Sequence, residues 1–366
     1  FETCTSAGWA FIDLTGPAGP GGINGTDGAV GVNGTNGQDG VEGANGVNGT
    51  NGVDGLNGAD GINGTDGQDV DPTLVAQLQA DNAALLNTVS SLESDLVNAT
   101  SCQLVPWGNC VNADLRSMDL SSMNLTGINL RGADLTSANL SDANLNYALL
   151  MNIDAEYANL TDAGLGHADL RDAVLRDADL TDANLNVADL SGAYLSRADL
   201  TNASLQWADL TDTYLSYADL TDADLNYADL SNAYLYRADL SNAYLFLASL
   251  NNADLRYANL TDAYISEADL TDANLYSTDL TDANLNYADL SGAMLWYADL
   301  TDANLRYVDL TNADLTSADL TDANLNYADL KFADFTSATV TGATFSVSYW
   351  HQTEWTNGVK YDSNQA

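Results

Sequence analysis

The period of the apolar residues is the feature that most constrains the fold of this chain. An apolar residue, almost always Leu, occupies every fifth position from Leu115 to Phe345, and Ala usually stands two residues before it. This period fits neither the roughly 3.6-residue turn of an α-helix nor the alternation of a flat strand. On an α-helix the leucines would spread over every side, and the intervening Asn, Asp, Thr and Gly are poor helix formers.

The same pattern suits a chain that runs extended for about three residues and then turns. In the recurring unit Ala-Asp-Leu, Ala and Leu point to one side of the extended chain and Asp points to the other. The two residues that follow, such as Thr-Asp or Asn-Tyr, are types that favour turns. Four such sides would close a coil of about 20 residues around the leucines, with stacked coils about 4.8 Å apart. The sequence therefore predicts an all-β solenoid over residues 112–345.

Units such as Ala-Asp-Leu-Thr-Asp and Ala-Asn-Leu-Asn-Tyr resemble those of the pentapeptide-repeat family. The resemblance covers residues 113–345 with few breaks. It implies a right-handed quadrilateral β-helix. It does not imply one function, because one fold can carry several unrelated functions.

Residues one coil apart are expected to lie above one another, which aligns like residues in ladders. Tyrosines at this spacing either stabilise the stacking of coils or form a lateral or ligand-contact surface. The Asp rows either form a solvated face or, less favoured, bind divalent cations such as Ca²⁺ between coils or subunits. We assign no metal ligands. The tyrosine ladders are Tyr194, Tyr214 and Tyr234, and Tyr287, Tyr307 and Tyr327; the acidic rows are Asp169, Asp189, Asp209 and Asp229, and Asp179, Asp199, Asp219 and Asp239.

Residues 16–69 have a different period, with Gly at every third position from Gly16 to Gly67. A strict period of three is typical of collagen, because only Gly fits at the axis of three wound chains. The alternative is a Gly-rich flexible linker, but a linker needs no fixed phase. We therefore expect a collagen-like triple helix, although Pro17 and Pro20 are its only prolines.

Residues 70–100 change to a helical period. Asp71 suits a helix N-cap and Pro72 the first helical position. The heptad pattern predicts a short α-helical coiled coil, which we expect to be trimeric because a collagen triple helix requires three chains. The alternative is a single amphipathic helix packed on the next domain. The heptad positions are Val75, Asn82, Val89 and Leu96, with Leu78, Leu85, Leu92 and Ala99.

The remaining segments lie at the ends of these regions. Residues 1–15, with Trp9, Phe11 and Leu14, predict an assembly strand that is too short to fold alone. Residues 101–111 form a junction, in which Trp107 is expected to plug the bore of the solenoid. Residues 346–366 are expected to cap the solenoid or to dock a partner. The residues assigned to that role are Tyr349, Trp350, Trp355 and Tyr361.

The three cysteines indicate an oxidising compartment. Cys102 and Cys110 flank a short Trp- and Gly-containing loop, and we expect them to form a disulfide, the alternative being two free buried thiols. Cys4 is then left over, which makes it a candidate for an intermolecular disulfide or a free thiol.

The charge balance limits the partners of this chain. Ten basic and 52 acidic residues give a net charge of −42, which repels nucleic acid and anionic membrane surfaces. No apolar run of about 18 residues could span a membrane. A chain beginning at Phe1 is interpreted as a mature secreted product.

Candidate glycosylation sites are also present, although a repeat rich in Asn, Ser and Thr produces such sequons by chance. They are Asn24, Asn33, Asn48, Asn63, Asn98, Asn124, Asn139, Asn159, Asn202 and Asn259.

Nothing in the sequence indicates catalysis. His167 and His351 are far apart, and no nucleophile, phosphate-loop or zinc motif accompanies them. We expect no enzymatic activity and no cofactor. The leading hypothesis is a structural subunit of an extracellular or cell-surface fibre, whose partner is itself as a homotrimer or polymer. The alternatives are a trimeric adhesin or viral fibre and, less favoured, an acidic DNA mimic that inhibits a type II topoisomerase.

Overall fold

The computed structural model describes residues 102–361 and two short N-terminal strands, β1 (Glu2–Thr5) and β2 (Gly8–Phe11). The predictions of a collagen-like triple helix over 16–69 and of a coiled coil over 70–100 fall outside the described residues. Leu14 and the candidate glycosylation sites from Asn24 to Asn98 also fall outside them.

Strands β1 and β2 pair antiparallel, with Cys4 opposite Trp9 and Glu2 opposite Phe11. The sequence predicted one strand here that needs a partner from elsewhere, and the segment instead supplies both strands. Because only two residues separate β1 from β2, their backbone groups can pair within the segment.

Residues 106–355 form a β-helix with four short sides and four turns in each coil. Parallel bridges join each outward-facing residue to the one 20 positions later, from Asn109 with Asn129 to Asp334 with Glu354. The predicted solenoid and the stacking of residues one coil apart are confirmed. Every corner and side therefore keeps its position along the β-helix.

Each pentapeptide has a first and a second corner residue, an Ala position, an outer position and a Leu position, as in residues 181–185. At the corner before Ala183, the Ala183 N–H donates to the Leu180 carbonyl at 3.0 Å, and Asp182 has a φ of 58°. A positive φ at the second corner residue is typical of a type II turn. Asp and Asn tolerate this conformation, which explains their frequency there.

The backbone hydrogen bonds follow one scheme in every unit that has a coil on each side. The Leu and second-corner N–H groups donate to the next coil, the outer N–H donates to the preceding coil, and the Ala N–H closes the turn. In residues 180–184 these bonds measure 2.7, 2.9, 2.9 and 3.0 Å. The first-corner N–H is left over, and where the outer residue is Asp or Asn its side chain accepts from this N–H, as shown below.

The Leu and Ala positions form the core, as predicted, and Leu225 is fully buried. In one unit the large and the small core side chains exchange places, with Ile153 at the Ala position and Ala155 at the Leu position. Where a hydroxyl replaces Ala, it donates to a main-chain carbonyl, so these buried hydroxyls are paired. These bonds are Thr213 to Leu210 (2.6 Å), Thr278 to Leu255 (2.8 Å), Ser348 to Phe345 (2.6 Å) and Thr353 to Leu330 (2.6 Å).

The β-helix begins one unit earlier than the predicted residue 112. Cys110 occupies the first Leu position, is bonded to Cys102 through a 2.11 Å disulfide, and is 2% exposed. Trp107 does not plug the bore, so that prediction was wrong. It lies at a second corner position with a φ of 60° and is 70% exposed. Its ring covers Gly127 on the next coil, where a Cβ would lie 2.2 Å from the ring.

The β-helix also ends two units later than the predicted residue 345, because Trp350 and Trp355 occupy Leu positions. Their ring centroids are 4.9 Å apart and lie 5.6 and 5.3 Å from that of Phe345. The predicted boundary was wrong because Ser348 and Thr353 replace Ala and conceal the pattern.

The last strand is paired on its outer edge as well. Strand β3 (Thr353–Glu354) pairs antiparallel with β4 (Lys360–Tyr361), with Thr353 opposite Tyr361. At this end the chain's own aromatic rings cover the core, and β4 supplies partners for backbone groups that would otherwise be open.

Candidate functional surface: the corners of the β-helix

The four corners of the β-helix carry different side chains. We call one the arginine–tyrosine corner, the next along the chain the acidic corner, and the one diagonal to the first the stacked-ring corner. The arginine–tyrosine corner presents Arg176, Arg197, Tyr217, Tyr236, Arg237, Arg256, Tyr257, Tyr276, Trp296 and Tyr297, and it also carries Arg116, Glu156, Tyr157 and Asp177. The acidic corner presents Asp142, Asp162, Asp182, Asp222, Asp262, Asp282, Asp302 and Asp322; the stacked-ring corner presents Tyr147, His167, Trp207, Tyr227, Tyr287, Tyr307 and Tyr327.

The outer Asp and Asn side chains have a local structural role. Each accepts a hydrogen bond from the first-corner N–H two residues later, as Asp179 does from Thr181 at 3.0 Å and Asp199 from Thr201 at 3.0 Å. The Thr201 hydroxyl donates to the same oxygen at 2.6 Å. This completes the backbone scheme, so the repeat uses Asp or Asn here as an Asx turn.

Hydrogen bonds also adjust the acidity of these carboxyls. The Arg116 guanidinium donates to Asp114 at 2.8 Å and lowers the pKa of that carboxyl to about 2. The hydroxyl and N–H of Ser121 lower the pKa of Asp119.

The Asp rows predicted from the sequence do form ladders, with Asp169, Asp189, Asp209 and Asp229 on one side. In the part of the chain that the structure describes, no group of three or more His, Cys, Asp or Glu side chains converges as a metal site would. One oxygen of each outer carboxylate is already used in the Asx turn. The hydrogen-bonding requirement of the backbone therefore explains the Asp row.

The tyrosine ladders predicted from the sequence are present as stacked rings. Centroids of Tyr287 and Tyr307 lie 4.6 Å apart and those of Tyr307 and Tyr327 4.7 Å apart. The ladder from Tyr194 through Tyr214 to Tyr234 has spacings of 4.8 and 4.9 Å. Because the rings are nearly parallel, their faces cover one another and contribute to the stacking of coils.

The arginine–tyrosine corner holds a second kind of aromatic row, which the sequence analysis missed. Five tyrosines contact one another edge to face, at centroid distances of 5.7, 5.6, 5.4 and 5.7 Å. They alternate between second and first corner positions, so they are spaced alternately 19 and 21 residues apart rather than one coil apart. A search at those two spacings would have found them. The row is Tyr217, Tyr236, Tyr257, Tyr276 and Tyr297.

Arginines lie on this row. The Arg237 guanidinium is 5.6 Å from the Tyr236 centroid and 5.5 Å from that of Tyr257, and Arg256 is 5.7 Å from Tyr236. Arg256 also forms an ion pair with Asp254 at 2.6 Å. Burial and the neighbouring Tyr276 raise the pKa of Tyr257. Stacking on the rings orients the guanidinium groups at the surface.

Two shallow depressions interrupt the corners. One, of about 330 Å³, lies on the arginine–tyrosine corner; the other, of about 530 Å³, lies on the fourth corner near the N-terminal end. The first is lined by Arg256, Tyr257, Asn274, Tyr276, Met294 and Trp296. The second is lined by Val111, Asn112, Arg131, Gly132, Met151 and Asn152. Both contain aromatic or aliphatic groups beside an arginine, a composition that suits binding rather than acid–base chemistry.

The structure separates the four residues predicted for C-terminal docking. Trp350 and Trp355 pack into the end of the core, whereas Tyr349 remains 53% exposed beneath the Lys331 amine, 5.7 Å from its ring centroid. Tyr361 is half-buried in β4. Cys4 lies in β1, and the disulfide joins Cys102 to Cys110.

The candidate glycosylation sites within the β-helix occupy two kinds of position. Asn124, Asn139, Asn159 and Asn259 are outer residues whose side-chain oxygens accept from the following Thr or Ser N–H. The amides of Asn139 and Asn259 also donate to Asp119 and Asp239, at 3.1 and 3.0 Å. Asn202 lies at the acidic corner, with a φ of 58°.

His167 stacks on Tyr147 with centroids 4.8 Å apart, as part of the stacked-ring corner. Its position as one ring of a ladder agrees with a surface residue. Among the residues placed by the structure, no helix is long and apolar enough to cross a membrane.

Comparison with solved structures gives similar chains, two of which are described as pentapeptide repeat proteins. HetL, a pentapeptide repeat protein involved in heterocyst differentiation regulation in the cyanobacterium Nostoc sp. strain PCC 7120, is 31% identical, with a TM-score of 0.25; the match covers 67% of this chain and 92% of HetL. A pentapeptide repeat protein of the Arabidopsis thaliana thylakoid lumen is 33% identical, with a TM-score of 0.20, over 27% of this chain and 65% of that one. QnrB1, a plasmid-mediated fluoroquinolone resistance protein, is 17% identical, with a TM-score of 0.25, over 55% and 88%.

A search of curated proteins found no match. The family model for the collagen triple helix repeat matches residues 14–72 in 20 copies. The model for pentapeptide repeats matches eight copies between residues 109 and 346. Because these matches cover more than half of the chain, the protein belongs to the pentapeptide-repeat family and carries collagen-like repeats before its β-helix.

Proposed function

We propose that this protein is a structural subunit of an extracellular fibre. The observation that carries the proposal is the combination, in one chain, of an unbroken Gly-x-y segment with a β-helix whose side chains are committed to stacking. Collagen-like segments, heptad helices and β-helices are all elongated, and each gains stability from regular repetition. The proposal assigns the protein no enzymatic activity.

In this proposal residues 16–100, which we call the stalk, bring the chains together. Residues 16–69 form a collagen-like triple helix, and residues 70–100 form a three-stranded coiled coil that holds its register. The glycine period and the family match to residues 14–72 support the first part. The heptad spacing of Val75, Leu78, Leu85 and Leu92 supports the second.

The extracellular location rests on the cysteines. A disulfide between Cys102 and Cys110 closes the N-terminal end of the β-helix, and such bonds persist in oxidising compartments. Glycans on the candidate asparagines, Asn124, Asn139, Asn159, Asn202 and Asn259 among them, would agree with that location.

Contacts between successive subunits are proposed to use the N-terminal segment. The end of the β-helix is covered by Trp350, Trp355 and β4, so a docking segment would meet the outer surface of this cap, including Tyr349. Cys4 would lie at such a contact and is proposed to form a covalent link there.

Electron microscopy and sedimentation of the purified full-length chain test the proposal. The expected result is a particle with the mass of three chains, joined into fibres with an axial repeat. A monomer at all concentrations, with no fibres, would overturn it. Isolated trimers with free tips would favour the adhesin or viral-fibre alternative, for which the exposed arginine–tyrosine corner is the candidate receptor surface.

The acidic rows support a second candidate function of another class. Rows of outer Asp residues, such as those of Asp169 and Asp179, lie on opposite sides of the β-helix, and an acidic rod could imitate duplex DNA. Inhibition of supercoiling by a type II topoisomerase would support this alternative. The stalk and the disulfide favour the fibre.

A further inference from the structure

We propose that the arginine–tyrosine corner binds the acidic corner of a second copy of this chain, so that two β-helices lie side by side. The inference deepens the proposed fibre, on which it rests for bringing copies together. Three observations indicate that the partner of this corner is a second copy of the chain. They are the distribution of charge, the common spacing of residues along the two corners, and the geometry of the arginines.

On a chain of net charge −42, few surfaces can attract an acidic partner. The acidic corner has no basic residue at its corner positions from Ser121 to Gly342, and Ser, Thr, Asp, Asn and Gly fill them all. The arginine–tyrosine corner, by contrast, carries Arg176, Arg197, Arg237 and Arg256 on consecutive or nearly consecutive coils. Opposite charges facing one another give this pairing its specificity.

The repeat distance along the two corners is the same because both belong to the same β-helix. Along either corner, equivalent positions recur once per coil, at the strand spacing of about 4.8 Å. Arginines one coil apart therefore meet carboxylates one coil apart without any adjustment of register. Asp262 and Asp282 of a second copy offer such a pair, as do Asp302 and Asp322.

Arg237 is the residue best placed for this contact. It is exposed, and no carboxylate of the described residues lies within ion-pair distance of its guanidinium, which stacks instead on Tyr236 and Tyr257. Arg197, by comparison, already pairs with Asp177, and Arg176 with Glu156 at 3.6 Å. A guanidinium held on aromatic rings keeps its donors free for a partner and loses little side-chain entropy on binding.

The aromatic groups add apolar contact to the charge pairing. Tyr217 is 52% exposed, Tyr297 57% and Trp296 44%. Aromatic residues and Arg are enriched at the centres of protein interfaces. At physiological ionic strength the screening length is about 8 Å, so acidic rows farther than this from the contact repel a second copy weakly, while groups in contact still interact.

A charge exchange in the full-length protein tests the inference. In one variant, Arg197→Glu and Arg237→Glu reverse the arginine–tyrosine corner; in a second, Asp222→Arg, Asp262→Arg and Asp282→Arg reverse the acidic corner. These substitutions suit the backbone, since Glu267, Arg197 and Arg237 already occupy second corner positions with φ of 59–64°. Side-by-side association is measured by sedimentation velocity at low and high salt.

We expect each variant alone to associate about tenfold more weakly than the unmodified protein at low salt. Mixing the two variants should restore association, because the reversed corners are again complementary. A mixture that stays as weak as its components, or variants that associate normally, would overturn the inference.

Matched controls keep the change in charge constant. Arg171→Glu with Arg306→Glu replaces one ion-paired arginine, bound to Asp169 at 2.8 Å, and one stacked on tyrosines, both outside the arginine–tyrosine corner. Asp172→Arg, Asp212→Arg and Asp272→Arg place arginines on the fourth corner at the same turn position. Both controls should associate normally, and thermal unfolding checks that all variants are folded.

The outcome separates this inference from the fibre proposal. Fibres of normal length that are unchanged in width by the charge reversals would contradict the lateral contact and leave the fibre standing. Salt-sensitive pairing that follows the charge exchange, without any fibres, would support the lateral contact and contradict the fibre.

Discussion

The N–H of Thr181 donates to Oδ1 of Asp179 across a distance of 3.0 Å, and this bond explains the Asp-Leu-Thr sequence that recurs along the chain. In a unit with a coil on each side, the other four N–H groups find backbone acceptors, and the fifth finds the outer Asp or Asn where one is present. Where the outer residue is of another type, a different acceptor can serve, as Oδ1 of Asn226 does for the N–H of Phe246 at 2.8 Å. An acceptor is needed here whether or not it is charged, and Asn takes the same place at Asn159 and Asn259.

Asp199 provides a test of that role. Asp199→Ala removes the acceptor of both the Thr201 N–H and its hydroxyl, and we expect a loss of about 1 kcal/mol in the free energy of unfolding. Asp199→Asn keeps an acceptor oxygen and should cost much less. Urea unfolding monitored by circular dichroism distinguishes the two. Equal losses for Ala and Asn would show that charge, rather than the hydrogen bond, is what the position requires.

Acid should weaken the ion pair between Asp169 and Arg171 over a predictable range of pH. The hydrogen bond from Arg171 lowers the pKa of Asp169 below its ordinary value of 3.8, against the opposing effect of burial. A carboxyl with a depressed folded pKa stabilises the protein fully above its unfolded pKa and loses this contribution as the pH falls through the folded value. The stability that Arg171 confers should therefore be constant at neutral pH and disappear below about pH 4.

The difference between the unmodified protein and Arg171→Gln isolates this effect. Acid also relieves repulsion between the Asp rows, but that relief is common to both proteins and cancels in the difference. Thermal unfolding between neutral pH and about pH 2 is the measurement. A difference that grows on acidification would contradict the assignment.

Leu225 is fully buried at a Leu position, so Leu225→Asp places a carboxylate in the core without a partner. We expect a loss of several kcal/mol, confined to the coils around it. Leu247→Asp makes the same chemical change at a corner position one coil further, where the side chain is 45% exposed, and should be nearly neutral. Hydrogen exchange of the two variants would map the damage. Similar losses at both positions would contradict the assigned inward and outward directions.

The proposed triple helix predicts a specific sensitivity to glycine. Gly43→Ala should lower the melting temperature of the collagen-like segment and leave the β-helix transition unchanged, because only Gly fits the axis of three chains. Val41→Ala changes a position of the triplet that is not at the axis and serves as the control. Circular dichroism follows both transitions. The same small shift in the two variants would indicate that residues 16–69 form no triple helix.

Removal of residues 2–14 should abolish long fibres and leave soluble trimers. This segment carries β1, β2 and Cys4, and a two-stranded hairpin is marginally stable unless it packs on something else. Electron microscopy and sedimentation of the truncated protein provide the measurement. Normal fibres from the truncated chain would mean that subunits join through another surface.

The apolar period was enough to predict the β-helix, its inward Leu and Ala positions and the stacked tyrosines, because each depends on a strict repeat. The features that could not be predicted from the sequence lie where the repeat changes its residue types or its spacing. Trp350 and Trp355 were not recognised as core positions because Ser348 and Thr353 replace Ala beside them. The edge-to-face row through Tyr236 and Tyr257 alternates between corner positions, which a search at one fixed spacing does not detect.

The uniform coil also restricts how such a chain can change in length during evolution. Duplication or loss of a whole coil adds or removes one step and leaves every corner continuous with those above and below it. An insertion of a single pentapeptide preserves the buried Leu but rotates all later units by a quarter turn, so Arg256 would no longer follow Arg237 along one corner. An insertion of half a coil would rotate all later units by half a turn, so the arginine–tyrosine corner would continue as the stacked-ring corner. Selection acting on the surface should therefore favour length changes in whole coils, whereas selection acting on the core alone would accept any number of pentapeptides.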